Sequence, residues 1–402
     1  MTVRQCRPSP KPIEQCSTNI STRSAIGLRC ILSARNNFVG DLHPRAYATA
    51  DPVASHKLKI LHILFSSRIA GSERYCIDLA NGQAALGHEV HVAGRYGSPM
   101  TKLLSKQVIF HGFATPFLRG LRLRWLAARA GIEIAHGHLS HGCKALAAAP
   151  DSVARIATLH VGYKARQHAH LDGVICVNAA QATRLGKYDG QSTLISNWLP
   201  DVKSAESFDL RAQLNLPRET RLVGSVGRLH LSKGYDVLVS AFRQSAPRDA
   251  ALVIVGEGPH RAALEKLARG DSRIHLLGHC NNVPGFLRNL DLFVSPSREE
   301  SAGLAILEAM SEGLPIIATA AEGPSEYLRE HPVTLVAPGS VEQLSEALAD
   351  VMREQPVVRL SRVSYDLRPF SRSAGIVNVL DFYSRVAGGA AAQLASAPII
   401  RG

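Results

Sequence analysis

DLFVSPSREESAGLAILEAMSEGLPIIATA, Asp291–Ala320, is the stretch whose reading decides the fold. DLFVSPS (291–297) is a short apolar run, the pattern of a buried strand. A polar turn follows it, SAGLAILEAMSEG (301–313) predicts a helix, and LPIIATA (314–320) is another buried strand. A strand, a loop, a helix and a strand in that order form a βαβ unit, so the sheet is predicted to be parallel.

The alternation extends in both directions. Towards the N-terminus lie predicted strands at RLVGSVGRL (221–229), ALVIVGEG (251–258) and RIHLLGHC (273–280), with a helix after each. Beyond Pro200 a first series runs from KLKILHILFS (57–66) through EVHVAG (89–94), IEIAHG (132–137), VARIATLH (153–160) and GVICVN (173–178) to STLISN (192–197). Two doubly wound parallel-sheet domains are therefore expected, facing a central cleft. The expected boundaries are 53–200 and 201–370, then a helix at 371–388 and a tail at 389–402. Residues 1–52 are rich in Ser, Asn, Pro and Arg and show no sustained period. They are expected to be a disordered or mis-assigned extension, with no signal-peptide core.

The chain has 402 residues, 46% of them hydrophobic and 20% charged, the composition of a globular protein. No apolar run approaches the roughly 18 residues of a membrane span. The seven cysteines form no C-x-x-C pair, which fits a reducing, cytoplasmic setting. The net charge is +13 and lies in the first half. Residues 51–197 carry 17 Lys/Arg against eight Asp/Glu, and residues 198–402 carry 22 against 23. An anionic partner is expected for the first half: a membrane surface, a phosphorylated lipid or an acidic saccharide. No basic–aromatic stripe suggests nucleic acid.

Ligands of open parallel sheets bind beyond the carboxyl ends of the strands. Arg228 sits just past such an end and Lys233 is expected to open the next helix. Two cations beside a helix N-terminus suit a diphosphate; solvated loop charges are the other reading. Glu300 lies at the end of the loop in the opening stretch, with Glu299 beside it and Glu308 eight residues on. Straight helix over that interval would rise about 12 Å. That exceeds the carboxyl separation of glycoside hydrolases, roughly 5–9.5 Å, but suits the two ends of a nucleotide sugar. Ala302 and Gly303 let backbone approach a ligand closely.

In the first series, IAGSE (69–73) is a glycine turn between strand and helix, without a dinucleotide or P-loop pattern. AHGHLSH (135–141) holds His136, His138 and His141. A metal site is not expected there, because the stretch has no carboxylate or Cys and its residues are not all expected to converge when extended. His138, and His160 at another strand end, each read either as a substrate contact or as a packed imidazole. PFLRGLRLRWLAARAG (116–131) is apolar at Leu118, Leu121, Trp125 and Leu126 and carries four arginines. It reads either as a core-facing stripe with a solvated basic back or as a helix lying on an anionic membrane.

These segments together resemble a family 4 (group 1) glycosyltransferase of the GT-B fold. The resemblance covers about residues 58–385 and is carried above all by FVSPSREESAGLAILEAMSEGLPIIAT. It implies two Rossmann-like domains, with the acceptor on the first and the sugar nucleotide on the second. It also implies retention of anomeric configuration, no metal and no other cofactor. The family's E-x7-E spacing falls on Glu300, facing the transferred sugar, and Glu308, binding the ribose. Arg228 and Lys233 match the pair that neutralises the diphosphate. Gly71 matches the glycine loop at the donor, and Gly303 and Leu304 open the donor-side helix. His138 matches the histidine that reaches into the cleft. The final helix, 371–388, is expected to cross back to the first domain. Two positions depart from the family pattern: Ala302 where an aromatic is common, and IAGSE where a Gly-Gly pair is common.

The activity implied is transfer of a hexose from a nucleotide-diphosphate sugar to a lipid-linked, polysaccharide or lipopolysaccharide acceptor. It would take place in the cytoplasm or at the inner face of the membrane. The competing readings are a saccharide-binding protein on the same scaffold and another GT-B enzyme, such as a sugar-nucleotide epimerase.

Overall fold

The computed structural model describes residues 57–200, 206–353 and 361–396, with side chains through residue 388. The extension expected at 1–52 lies outside the described residues, as does the end of the expected tail, from residue 397.

Seven strands make the first sheet: β1 (Lys59–Leu64), β2 (Glu89–Arg95), β3 (Ile109–Phe113), β4 (Ile134–His138), β5 (Ala154–Thr158), β6 (Gly173–Cys176) and β7 (Gln191–Leu194). Their spatial order is β3-β2-β1-β4-β5-β6-β7. Every neighbouring pair is parallel. The second sheet is built from β8 (Arg221–Val226), β9 (Ala250–Val255), β10 (Ile274–Gly278), β11 (Leu292–Ser295), β12 (Ile316–Thr319) and β13 (Thr334–Val336). It is ordered β10-β9-β8-β11-β12-β13 and is also parallel throughout. Helices cover both faces of each sheet, which is why the central strands are apolar on both sides. The sequence reading did not anticipate β3 or β13.

Each face closes over its own core. On one side of the first sheet Ile60, Val90, Ile134 and Ile156 pack against the helix Gly71–Ala85 and against the final helix, Arg372–Ser396. That helix supplies Ile376, Val379, Phe382, Tyr383 and Val386, none more than 2% exposed. It continues past residue 388, because the Ala-rich run that follows favours helix. The chain leaves and re-enters this region side by side: the Leu199 N–H donates to the Phe370 carbonyl at 3.1 Å. Asp78 anchors both crossings. Its carboxylate accepts from Trp198 Nε1 and from Arg372 Nε, each at 2.6 Å. No helix among the described residues is long and apolar enough to cross a membrane.

Candidate functional site

In each sheet the strand order reverses direction once, between β1 and β4 and between β8 and β11. Loops diverge at such a point and leave a crevice beyond the carboxyl ends. Most of the predicted residues lie at or just beyond these two points, in the loops and the elements they join.

At the second switch point, Arg228 stands exposed just beyond β8. Lys233 does not open a helix as expected. It ends a short 3₁₀ turn, Leu231–Lys233, and Gly234 follows at φ 65° before the helix Tyr235–Ser245 begins. This turn presents the Lys233 ammonium to the loop after β11, where Nζ lies 2.5 Å from Glu300 Oε2. The two loops are fastened together nearby. The Arg298 guanidinium pairs with both Asp236 oxygens at 2.7 Å, holding that carboxyl below its usual range. The N–H groups of Arg298 and Glu299 both donate to the Ser232 carbonyl. Of the adjacent glutamates, Glu299 is exposed and Glu300 is partly buried against Lys233.

The helix after this loop is Leu304–Ser311, shorter than expected from the sequence. Gly303 caps it at φ 72°, a backbone shape that a β-carbon opposes, and a β-carbon there would also meet Tyr327 Oη at 2.9 Å. The Ile306 and Leu307 N–H groups bond the Gly303 carbonyl, which leaves those of Leu304 and Ala305 without a helical partner. Glu308 sits on its second turn. Burial pushes its carboxyl up to about 7, and the charge of Arg74 on the first domain opposes that shift.

Across the crevice, Gly71 begins the helix Gly71–Ala85, whose first turn is closed by Glu73 accepting from the Ala70 N–H. A β-carbon on Gly71 would come within 3.2 Å of Leu304 Cδ1, so the two predicted donor residues meet. A clasp unforeseen from the sequence joins the domains beside them. Asn178 Nδ2 donates to the Ser301 carbonyl at 2.8 Å. The Glu326 carboxylate accepts from the N–H groups of Ala179 and Ala180, and Arg184 pairs with Glu322.

The first switch point holds histidines in a buried seam. His62 of β1 pairs in register with His136 of β4, and His138 follows two residues later on the same face. The ring nitrogens form a chain: Gln83 Oε1 to His62 Nε2 at 2.8 Å, His62 Nδ1 to His138 Nε2 at 3.1 Å, and His138 Nδ1 to His160 Nε2 at 3.2 Å. His136 bonds Tyr383 Oη and Thr158 Oγ1. Burial pushes His62 and His160 down to about 4, and His136 and His138 well below their usual value, so all four are neutral at pH 7.

One expectation is corrected here. His138 does not itself reach into the cleft: it is wholly buried, both of its ring nitrogens are taken by other imidazoles, and His160 is the partly exposed end of the chain. The three histidines of AHGHLSH do not all converge, as expected, but two of them do. A strand repeats every two residues, so His136 and His138 share a face, and with His62 they bring one nitrogen each within 4.8 Å of one another. His141 is exposed on the following helix and takes no part. One sequence signal was available: His62 is the lone polar residue in the run ILHIL, 60–64.

Residues 220–354 match the family described as "Glycosyl transferases group 1", and residues 69–200 match "Glycosyltransferase Family 4". The chain belongs to the family 4, group 1 glycosyltransferases. Among curated relatives of these glycosyltransferases, the chain is 27% identical over 308 residues to the "Lipopolysaccharide core biosynthesis mannosyltransferase LpsB" of Rhizobium meliloti, covering 73% of this chain and 86% of that one. Solved structures place it in the GT-B fold. A glycosyltransferase from Rickettsia africae superposes with a TM-score of 0.67 at 16% identity, covering 83% of this chain and 99% of the other. Anabaena Alr3699/HepE, solved in complex with UDP-glucose, superposes with a TM-score of 0.63 at 19% identity, covering 84% and 100%.

Proposed function

We propose that this glycosyltransferase moves a hexose from a nucleotide-diphosphate sugar to a lipid-linked saccharide of the lipopolysaccharide or polysaccharide class. In this reading transfer retains anomeric configuration and needs no metal, and the enzyme works on the cytoplasmic side as a peripheral membrane protein. The observation that carries the reading is the Lys233–Glu300 pair beside the open helix N-terminus at Gly303–Leu304, with Gly71 closing on Leu304 from the other domain. The relative named for lipopolysaccharide core synthesis and the UDP-glucose bound to Anabaena HepE support the acceptor and donor classes.

The roles follow from charge. As the sugar C1–O bond breaks, its electrons pass to the diphosphate. Arg228, Lys233 and the helix N-terminus surround that developing charge, and such fixed stabilisation is usually the largest catalytic contribution. These groups supply the positive charge that a metal would otherwise bring. Glu300 positions the sugar and stabilises its oxocarbenium character. Glu308 accepts from the ribose hydroxyls. His160 contacts the sugar or acceptor, and His138 holds His160 in place from behind. The acceptor hydroxyl then bonds to C1 on the face the diphosphate left and gives its proton to that diphosphate, while the closed domains exclude water.

Calorimetric titration with UDP, GDP and ADP in EDTA tests the donor site. One nucleotide is expected to bind, and Arg228→Ala/Lys233→Ala is expected to lose it. Binding that requires added metal, or that survives the double substitution, overturns the assignment.

A further inference from the structure

We propose that the basic helix Arg119–Ala130, with the turn that feeds it, docks the protein on an anionic bilayer. The inference deepens the membrane-bound acceptor proposed above and rests on it for its purpose. The helix is apolar on two sides. Leu123, Leu126 and Ala127 are buried in the first domain. Leu118, Leu121 and Trp125, which a core-facing stripe would bury, point outward at 51%, 64% and 63% exposure, and Phe117 just before them is 74% exposed. Leu121 and Trp125 are spaced four residues apart on the helix and so are surface neighbours, and Phe117 and Leu118 lie in the turn that leads into it. Leu118 turns the chain into the helix at φ 52°, a left-handed shape unusual for a residue with a β-carbon.

Isolated exposed apolar residues are ordinary, but a group of them rimmed by one sign of charge marks an interaction surface. Here the sign is positive without interruption. From Val90 to Ile132 the chain has seven Lys/Arg and no Asp or Glu. Arg119 and Arg122 stack over Phe65 and Phe113, which fixes the helix to its domain. Arg124 is exposed beside the apolar group, and Arg129 lies over Trp125. Aromatic and aliphatic side chains flanked by arginine suit the headgroup–acyl boundary of an anionic membrane, where the apolar groups bury and the cations meet phosphates. The patch also lies at a useful edge. Phe117 follows the carboxyl end of β3 by four residues, and exposed Tyr96 follows that of β2, so both lie on the side of the sheet that carries the site loops.

The test uses the full chain with vesicles of phosphatidylcholine alone and of phosphatidylcholine with phosphatidylglycerol. The protein has two tryptophans and Trp198 is 3% exposed, so a vesicle-induced blue shift reports Trp125. Binding only to the anionic vesicles is expected, weakened by salt. Leu121→Ser/Trp125→Ser and Arg124→Glu/Arg129→Glu should each weaken it about tenfold or more. Trp125→Phe should keep it. Nucleotide binding, measured on the same samples, should not change and reports intact folding. Equal binding to neutral vesicles, or anionic binding that survives both double variants, overturns the proposal. So does a dimer in the absence of lipid that Leu121→Ser/Trp125→Ser dissolves, because a second copy would then be the occupant. If vesicles bind but no nucleotide does, the docking surface stands and the proposed donor site falls.

Discussion

Glu308→Gln separates the energetic cost of the donor site from its use. In the folded protein the Glu308 carboxyl titrates at about 7, against 4.5 when unperturbed, because burial penalises its charge. Between those values the folded state holds a proton that the unfolded state has released. Stability is therefore present below 4.5 and is lost as pH rises through about 7. At roughly 1.4 kcal/mol per pH unit the full gap is about 3 kcal/mol, and partial solvent access to the side chain reduces the expectation to about 2 kcal/mol. Glutamine carries no such cost. By thermal melting, Glu308→Gln should be more stable than the parent by about 2 kcal/mol at pH 8 and by less than about 1 kcal/mol at pH 5. Donor binding should move the other way. If the ribose needs the carboxylate, affinity of the parent for the sugar nucleotide should rise about tenfold from pH 6 to 8, as the ionised fraction climbs from roughly a tenth to nine tenths. The variant should bind weakly at every pH. Arg74→Ala should move the midpoint upward, since the Arg74 charge pulls it down. A variant with unchanged melting across pH would mean that Glu308 is not a buried titrating group. One that binds the donor like the parent would remove Glu308 from the ribose.

Two further outcomes test the architecture. Arg184→Ala breaks a pair whose members are 63% and 53% exposed, so global stability should barely change. Scattering should nevertheless report a more open molecule, and unchanged dimensions would show that the clasp holds nothing closed. Phe382→Ala leaves a cavity under the first sheet, where Phe382 is fully buried, and should cost about 3–5 kcal/mol. A smaller loss in denaturant titration would mean that the last helix is not integral to that core.

The alternation of strands and helices was legible because buried parallel strands are continuous apolar runs that few other elements imitate. The strands that escaped notice lack that signature. IFHGF, the edge strand β3, is interrupted by His111–Gly112, and β13 is three residues long. Periodicity placed the helix after Glu300 three residues too early, because the left-handed turn at Gly303 is a tertiary feature held against Tyr327 and Pro324. The helix Arg119–Ala130 shows another limit. Two apolar stripes share it, and spacing cannot say which one meets the core. The histidine seam and the clasp join segments far apart in the chain. Arg184 and Glu322 are separated by 138 residues, and nothing local to either points to the other.

The return of the last helix to the first domain has a consequence for how the protein is made. Synthesis runs from residue 59 through 194 before the first sheet is complete, yet one of its faces is only partly covered, by the helix Gly71–Ala85, until Ile376 to Val386 emerge. The second domain can close its core meanwhile; the first must wait, with β1, β4 and β5 presenting an apolar surface. A nascent chain in that state is a natural client for a holding chaperone. For the same reason, residues 57–200 expressed alone would lack the side chains that seal their own interior.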